Sequence, residues 1–314
     1  MKAGRRIILG TFVLSIVACW CVSTGLAQDN PASPTTARQT QVIVTIIDTP
    51  GRYFGGLHKG QVTMLDNDVP KEVLTIEEST FPVSIGLLFN VSRSRYRDSL
   101  AVTRKEILQF FDVPQKTNEY SFMVFDENGV FTTDWTREPK KLISGFDKLE
   151  SVNPSKDVPT YDALEVAIKK MGDARHFKRA LIMISDLNHP GSVSKRDQVI
   201  EMLKRGDVLV YAIILDTSLL PRSSVRPALE RICSVSGGFA RAANSTTEFQ
   251  DLMETISLEL RHQYLISFLP SGAEGDWHRL SFEAKTLMLH PASSKQTVKV
   301  PLFTRSREGY YVKH

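Results

Sequence analysis

The chain has 314 residues, of which 42% are hydrophobic and 24% charged, a balance that is typical of a soluble globular protein. Lys2, Arg5 and Arg6 supply three units of its formal net charge of +4, so the rest of the chain is close to neutral. This near-balance argues against nucleic-acid binding, which needs a basic stripe or patch.

Residues 1–27 have the layout of an export signal. Basic residues precede an apolar core from Ile7 to Val22, and the small residues Gly25 and Ala27 fit a cleavage site after Ala27. Cys19 also permits a second interpretation, in which a lipid anchor is attached to its thiol. The apolar core is shorter than the roughly 20 residues that a membrane-spanning helix needs. Both interpretations predict an exported protein, periplasmic or extracellular.

Cysteine usage leaves one thiol in the exported part of the chain. Cys19 and Cys21 belong to the signal, and Cys233 lies in the segment LERICSVSGG. No intramolecular disulfide can form there, so the hydrophobic core must stabilise the fold alone. Cys233 falls on the apolar face of a predicted helix, which indicates a buried, unreactive thiol.

Residues 28–40 are polar and contain proline, a composition that is typical of a flexible linker. From residue 41 to residue 80, apolar and polar residues alternate between turn sequences such as DTPGRYFGG and DNDVP. Alternation with period two is the pattern of strands with one buried face. Residues 41–80 are therefore predicted to form antiparallel strands.

Residues 81–262 follow a different pattern. The runs PVSIGLLF, RALIMIS and DVLVYAIIL have little alternation, as expected of strands that are buried on both faces. Helical stripes lie between or after them: Leu164, Ala167, Ile168 and Met171, and then Phe249, Leu252, Met253, Ile256 and Leu260. Strands that alternate with helices predict a Rossmann-like, doubly wound α/β domain with a mostly parallel sheet. A hairpin with Asn128-Gly129 at its turn predicts one antiparallel edge.

Residues 263–314 return to alternating β patterns in QYLISFLP, HRLSFEAKT and QTVKVPLF. We expect them to pair with residues 41–80. The predicted fold class is therefore an α/β domain of the Rossmann-like type with a small β-domain built from the N-terminal and C-terminal flanks.

Polar residues follow the predicted parallel strands where each strand ends. Asn90, Ser92 and Ser94 come after the first apolar run, Asp186 after RALIMIS, and Asp157 to Thr160 just before a helix. Ligands bind at the carboxyl ends of strands in open α/β sheets. Hydroxyl and carboxylate oxygens are the ligands of hard cations such as Mg²⁺.

In this arrangement the chain resembles the von Willebrand factor A (VWA) family, and most of all the exported bacterial VWFA-related proteins of acidobacteria. The segments that carry the resemblance are VSIGLLFNVSRS, PTYDALEVAI, RALIMISD, VSGGFARA, ELRHQYLISFLP and SREGYYV, in this order over roughly residues 41–314. The resemblance implies a sheet with a metal-ion-dependent adhesion site, formed by an Asp-x-Ser-x-Ser loop, a distant Thr and a later Asp.

The chain departs from the family pattern at this site. Asn90 replaces the first Asp of the loop, and Val158 takes the position of the distant Thr, which leaves Thr160 in a neighbouring apolar position. Ser92, Ser94 and Asp186 remain as metal ligands. An octahedral Mg²⁺ site tolerates few lost ligands. We therefore expect a degenerate site with no cofactor, or with weakly bound Mg²⁺.

The expected function is recognition of a protein or cell-surface ligand, without catalysis, through the carboxyl edge of the sheet. The candidate ligand-binding residues are Asn90, Arg93, Arg95, Asp157, Thr160 and His189. Arg93 and Arg95 place positive charge where the metal would lie, and so favour an acidic group on the partner. Two alternatives stay open: an adhesion module that depends on Mg²⁺, and a hydrolase, for which no motif supplies a nucleophile and a base.

Overall fold

The computed structural model describes residues 39–78, 80–91, 93–111, 117–126, 129–153, 159–186, 192–215, 225–289 and 298–313. The predicted signal peptide, Cys19 and most of the predicted linker lie outside these ranges. The strands in chain order are β1 Thr40–Asp48, β2 Val62–Asp66, β3 Val69–Lys71, β4 Thr75–Glu78, β5 Val83–Asn90, β6 Glu119–Asp126, β7 Gly129–Thr132, β8 Lys178–Ser185, β9 Leu209–Leu215, β10 Ala240–Ala243, β11 Tyr264–Phe268, β12 Trp277–Ala284, β13 Leu287–Leu289, β14 Val298–Val300, β15 Leu302–Ser306 and β16 Gly309–Tyr311. The helices are α1 Arg93–Phe111, α2 Pro139–Ser151, α3 Thr160–Met171, α4 Arg196–Arg205, α5 Val225–Ser236 and α6 Thr246–Arg261.

The central sheet has the strand order β10-β9-β8-β5-β6-β7. All its strand pairs are parallel except β6 and β7, which pair antiparallel at one edge. Every residue of β5 is buried, because helices cover both faces of the sheet. The predicted mostly parallel sheet and its antiparallel edge are confirmed, while Asn128 of the predicted turn lies outside the described residues.

Helices pack on both faces of this sheet through the predicted apolar stripes. One face is covered by α1, α2 and α6, and the other by α3, α4 and α5. The two stripes predicted from the sequence are buried in α3 and α6, and Cys233 is buried in α5. In the part of the chain that the structure describes, no helix is long and apolar enough to cross a membrane.

The flanks of the α/β domain form two further four-stranded antiparallel sheets, with strand orders β15-β1-β11-β4 and β16-β12-β2-β3, and a two-stranded one, β13-β14. In the first, β1 pairs with both β11 and β15; in the second, β12 pairs with both β2 and β16. Their shared core includes Val44, Ile46, Met64, Tyr264 and Phe268. Strands that precede the α/β domain therefore pair with strands that follow it, which confirms the predicted fold class.

A buried polar cluster, named here the Glu259 cluster, joins the flanking strands to the central sheet. The Glu259 carboxylate accepts hydrogen bonds from Thr45 Oγ1 of β1 at 3.1 Å and from Tyr211 OH of β9 at 2.8 Å. It also forms an ion pair with Arg305 of β15. Gln263 Nε2 donates to Thr45 Oγ1 at 3.0 Å. One carboxylate thus connects α6 to three strands.

Candidate functional site

The strand order places the switch point of the sheet between β5 and β8, at their carboxyl ends. Asn90, the last residue of β5, lies directly beside Ser185, the last residue of β8, in the parallel register. From β5 the chain runs through α1 to β6 on one side, whereas from β8 it runs through α4 to β9 on the other. Connections that diverge in this way mark the ligand-binding edge of open α/β sheets.

Asn90 lies at the centre of a second buried cluster, the Asn90 cluster, with Thr160 and Ser185. Its Nδ2 donates hydrogen bonds to Thr160 Oγ1 and to Ser185 Oγ, each at 3.3 Å. Its Oδ1 is buried and accepts no hydrogen bond from the residues that the structure describes. Asp186, which directly follows Ser185 in the chain, is 6% exposed. The cluster therefore presents an amide and two hydroxyls at the switch point, and a buried carboxylate follows it in the chain.

The structure adds a contact of Thr160 that the sequence did not predict. The sequence placed this residue in an apolar position, and its side chain is fully buried there, but its hydroxyl also contacts Asn90. Helix α3 begins at Thr160, with Pro159 before it as the N-cap. Val158 lies outside the described residues.

A loop after β8 is fixed to the start of α3 by groups that sequence reasoning missed. Asp162 accepts hydrogen bonds from the backbone N–H groups of Val193, at 3.1 Å, and Ser194, at 2.6 Å. The backbone N–H of Tyr161 donates to Ser192 Oγ at 3.0 Å. Val193 is held there with its side chain 93% exposed. The signal in the sequence was the acidic residue in the first turn of PTYDALEVAI, which can bind backbone N–H groups of a neighbouring loop.

The remaining predicted site residues are only partly located. The backbone of residues 93–95 forms the start of α1, immediately after the loop that follows Asn90. The side chains of Arg93, Ser94 and Arg95, and the whole of Ser92, Asp157 and His189, lie outside the described residues. Their roles stay predictions.

Among the described residues, position 90 offers a bound Mg²⁺ ion a poorer ligand than a carboxylate would. Such an ion needs oxygen ligands in near-octahedral geometry, usually with one or two carboxylates. Asn90 directs its N–H groups towards the hydroxyls of Thr160 and Ser185, and its amide carries no negative charge. Across the described ranges, no three His, Cys, Asp or Glu side chains lie close enough together to hold a metal ion.

A buried Asp–His pair outside this edge does not form a catalytic triad. His278 Nδ1 lies 2.6 Å from Asp66 Oδ1, and the other carboxylate oxygen accepts from Tyr310 OH at 3.0 Å. Ser271 Oγ donates to Asp66 at 2.9 Å. In a triad the serine hydroxyl must donate to the histidine, which then acts as its base. Here the carboxylate binds the hydroxyl, so the arrangement stabilises the β-domain core.

Comparison with known proteins reveals remote likenesses of fold. No family model and no curated protein matches the chain. It is similar to the von Willebrand factor type A protein from Catenulispora acidiphila, with 8% identity over 87% of this chain and 75% of that one, at a TM-score of 0.49. It is also similar to the pilus adhesin SpaC from Lactobacillus rhamnosus GG, with 8% identity over 83% and 49% of the two chains and a TM-score of 0.47.

A mutant of the PilB minor pilin from Streptococcus sanguinis is similar as well, with 9% identity over 58% of this chain and 62% of that one, at a TM-score of 0.45. The match thus spans less than two thirds of both pilus proteins. At this distance the similarities carry no argument about function.

Proposed function

We propose that the chain is an exported binding module of the VWA type, which recognises a protein or surface ligand through the carboxyl edge of its central sheet without a metal ion and without catalysis. The observation that carries this proposal is the Asn90 cluster. It occupies the switch point between β5 and β8, yet its central residue is a neutral amide whose N–H groups are bound to Thr160 and Ser185.

The rim of this edge supports binding by direct contact. Val193 extends into solvent from a loop whose backbone is held by Asp162. A fixed loop that exposes an apolar side chain suits recognition, because little conformational entropy is lost on binding. Arg93 and Arg95 at the start of α1 add positive charge near the same edge, which favours an acidic group on the partner.

The absence of catalysis is part of the proposal. Burial raises the pKa of the Cys233 thiol, and the side chain lies between α5 and the sheet, where no substrate can reach it. Export depends on residues 1–27, either by cleavage of a signal peptide or through a lipid anchor on Cys19.

The proposal is tested by binding of the labelled chain to an array of immobilised surface proteins and polysaccharides, in EDTA and in Mg²⁺. We expect the same affinity in both conditions for any ligand that binds. Val193→Asp should weaken that binding about tenfold, because it removes an apolar contact and adds a charge. Val69→Asp is the matched control, since Val69 is a valine of β3 in the flanking sheets that is 58% exposed and lines neither the carboxyl edge nor a cavity at the amino end of the central sheet. Equal effects of both variants would refute the assigned edge.

The alternative, adhesion that depends on Mg²⁺, has one observation in its favour: Asn90 Oδ1 is buried and has no partner among the described residues. Titration of the chain with Mg²⁺ and Mn²⁺, followed by calorimetry and by thermal unfolding, separates the two. We expect no heat of binding at millimolar metal. Binding that disappears in Asp186→Ala would establish the metal-dependent alternative instead.

A further inference from the structure

A cavity lies at the amino end of the parallel sheet, opposite the edge at which Asn90 lies. It has a volume of about 380 Å³ and is enclosed by the start of β1, the residue before β8, the end of α4 and the chain after β15. A smaller cavity continues from it towards the first residues of β8 and β9. Phe177, which is 48% exposed, lines both. We name this surface the amino-end groove.

The amino-end groove carries an excess of positive charge. Lys204, Arg205, Arg307 and Lys313 line it, against a single lining carboxylate, Asp207. Arg307 pairs with Asp207 and donates to the backbone oxygen of Lys204 at 2.7 Å. Burial lowers the pKa of the Arg307 guanidinium to about 10, which leaves it protonated at neutral pH.

Of these four cations, Lys204 and Lys313 are available to a ligand. Arg205, by contrast, pairs with Glu201 at 2.8 Å and lies over the ring of Tyr311. Lys204 Nζ lies 4.8 Å from the ring centre of Trp277 and, like Lys313, forms no ion pair with any described carboxylate. Glu201 also attracts Lys204, so the groove has four cations beside two carboxylates, Asp207 and Glu201, and retains an excess of positive charge beside aromatic rings.

One wall of the groove is an open strand edge. Residues 40–44 of β1 pair with β11, but β15 pairs with β1 only from Val44 to Asp48. β15 ends at Ser306, and Arg307 then lines the groove. On that side, residues 40–43 meet no strand in the described part of the chain. Backbone N–H and C=O groups at such an edge can pair with an added strand.

We propose that the amino-end groove binds an extended acidic peptide of a partner protein as a strand added to the open edge of β1. Acidic side chains of the peptide face Lys204 and Lys313, and an apolar side chain lies on Phe177. Alternation of acidic and apolar residues matches this geometry, because successive side chains of a strand point to opposite sides. This surface is separate from the Asn90 cluster, so the tests of the two proposals are independent, and either proposal can be refuted while the other stands.

The first test uses a fluorescent eight-residue peptide that alternates Glu and Val, with a version that has Gln in place of Glu. We expect the Glu peptide to bind and the Gln peptide to bind about tenfold more weakly. Two further versions carry N-methyl groups on every second backbone nitrogen: one version on the Glu residues and the other on the Val residues. An added strand uses N–H groups on one side only, so one version should bind and the other should not.

The second test compares variants of matched charge in the full chain. Lys204→Glu/Lys313→Glu should weaken binding of the Glu peptide at least about tenfold. Lys105→Glu/Lys140→Glu, on exposed residues of α1 and α2, makes the same change in net charge and should alter affinity by less than about twofold. Thermal unfolding confirms that each variant is folded.

Equal loss of affinity in the two double variants would overturn the proposal. Equal binding of both N-methylated peptides would also overturn it, as would a sulfated oligosaccharide that competes with the peptide and binds more tightly. Either of these two results would identify a general polyanion site in place of an added strand. Val193→Asp, at the carboxyl edge, should leave the affinity for the peptide unchanged.

Discussion

The molecule buries two polar clusters that differ in charge. The Glu259 cluster, between the flanking strands and the central sheet, contains a carboxylate together with its own cation, Arg305. The Asn90 cluster, at the carboxyl end of β5, is built around an amide that donates to two hydroxyls. Both central side chains are almost completely buried, so burial alone does not decide which of them is charged.

The side chains around Glu259 and around Asn90 explain why the first is a carboxylate and the second an amide. A carboxylate can be buried when a cation and hydrogen-bond donors surround it, and Glu259 has Arg305, Tyr211 and Thr45. At position 90 the described hydrogen-bond partners are the hydroxyls of Thr160 and Ser185, which carry no charge. A carboxylate there would need a cation in the role that Arg305 has for Glu259. This comparison explains why an amide at position 90 is compatible with a well-packed fold.

Removal of the internal cation should have the largest effect. We expect Arg305→Ala to lower the free energy of unfolding by about 3–5 kcal/mol, because it leaves Glu259 buried and uncompensated. Urea unfolding measures the change. Arg279→Ala is the matched control, since it breaks an ion pair with Asp68 in which the two side chains are 59% and 70% exposed. That variant should lose less than about 1 kcal/mol. Similar losses in the two variants would contradict the role given to burial.

Introduction of a carboxylate at position 90 should have the next largest effect. Asn90→Asp should lower the free energy of unfolding by about 2–3 kcal/mol without metal, because it places a carboxylate at a position that is fully buried and whose described partners are neutral hydroxyls. Millimolar Mg²⁺ should recover part of this loss, since a ligand that binds only the folded state stabilises it. The measurement is urea unfolding with and without Mg²⁺.

The wild-type chain and Asn118→Asp serve as controls for this variant. Asn118 is buried at the start of β6 and accepts a hydrogen bond from the Val83 N–H at 2.8 Å, far from the carboxyl edge. Neither control should respond to Mg²⁺. A wild-type response as large as that of Asn90→Asp would mean that the amide at position 90 does not weaken the site.

A buried lysine beside the Glu259 cluster should produce a smaller, pH-dependent effect. Lys178 Nζ donates to the Leu260 carbonyl at 2.7 Å, and burial lowers its pKa from 10.5 to about 7, an effect that Glu259 partly offsets. Between these two pH values the unfolded chain binds more protons than the folded chain. The free energy of unfolding should therefore rise with pH in this window, by at most about 1.4 kcal/mol per pH unit.

The measurement for Lys178 is urea unfolding from pH 6 to pH 10 in the wild type and in Lys178→Met. The difference between the two curves isolates the contribution of this side chain, because other groups titrate in both. We expect the curve of the variant to rise less steeply above pH 7. Parallel curves would mean that Lys178 stays protonated in the folded protein.

The helices and buried strands could be predicted from local patterns. Leu164, Ala167, Ile168 and Met171 repeat with the period of a helix, and they line the buried face of α3. The run that became β5 shows no alternation, because both of its faces are covered. The two flanking segments alternate, since each strand there faces a core on one side. These features depend on residues that are neighbours in the chain.

Details of the candidate site were less predictable. Asn90 and Asp186 were found from the ends of the apolar runs, but the contact of Thr160 with Asn90 depends on where α3 begins. The loop at Val193 was missed, since the hydrogen bonds of Asp162 join residues about thirty positions apart. The amino-end groove was also missed, because it combines segments from both ends and the middle of the chain.

The sequence by itself determined the types of element, the flanking β segments and the residues that follow each parallel strand, because hydrophobic period and strand length are local properties. The tertiary structure decided the order of the strands, and with it the switch point that brings Asn90 beside Ser185. It also decided that residues 40–43 of β1 pair with β11 on one side but not with β15 on the other. Strand order and register result from packing between distant segments, so no local pattern specifies them.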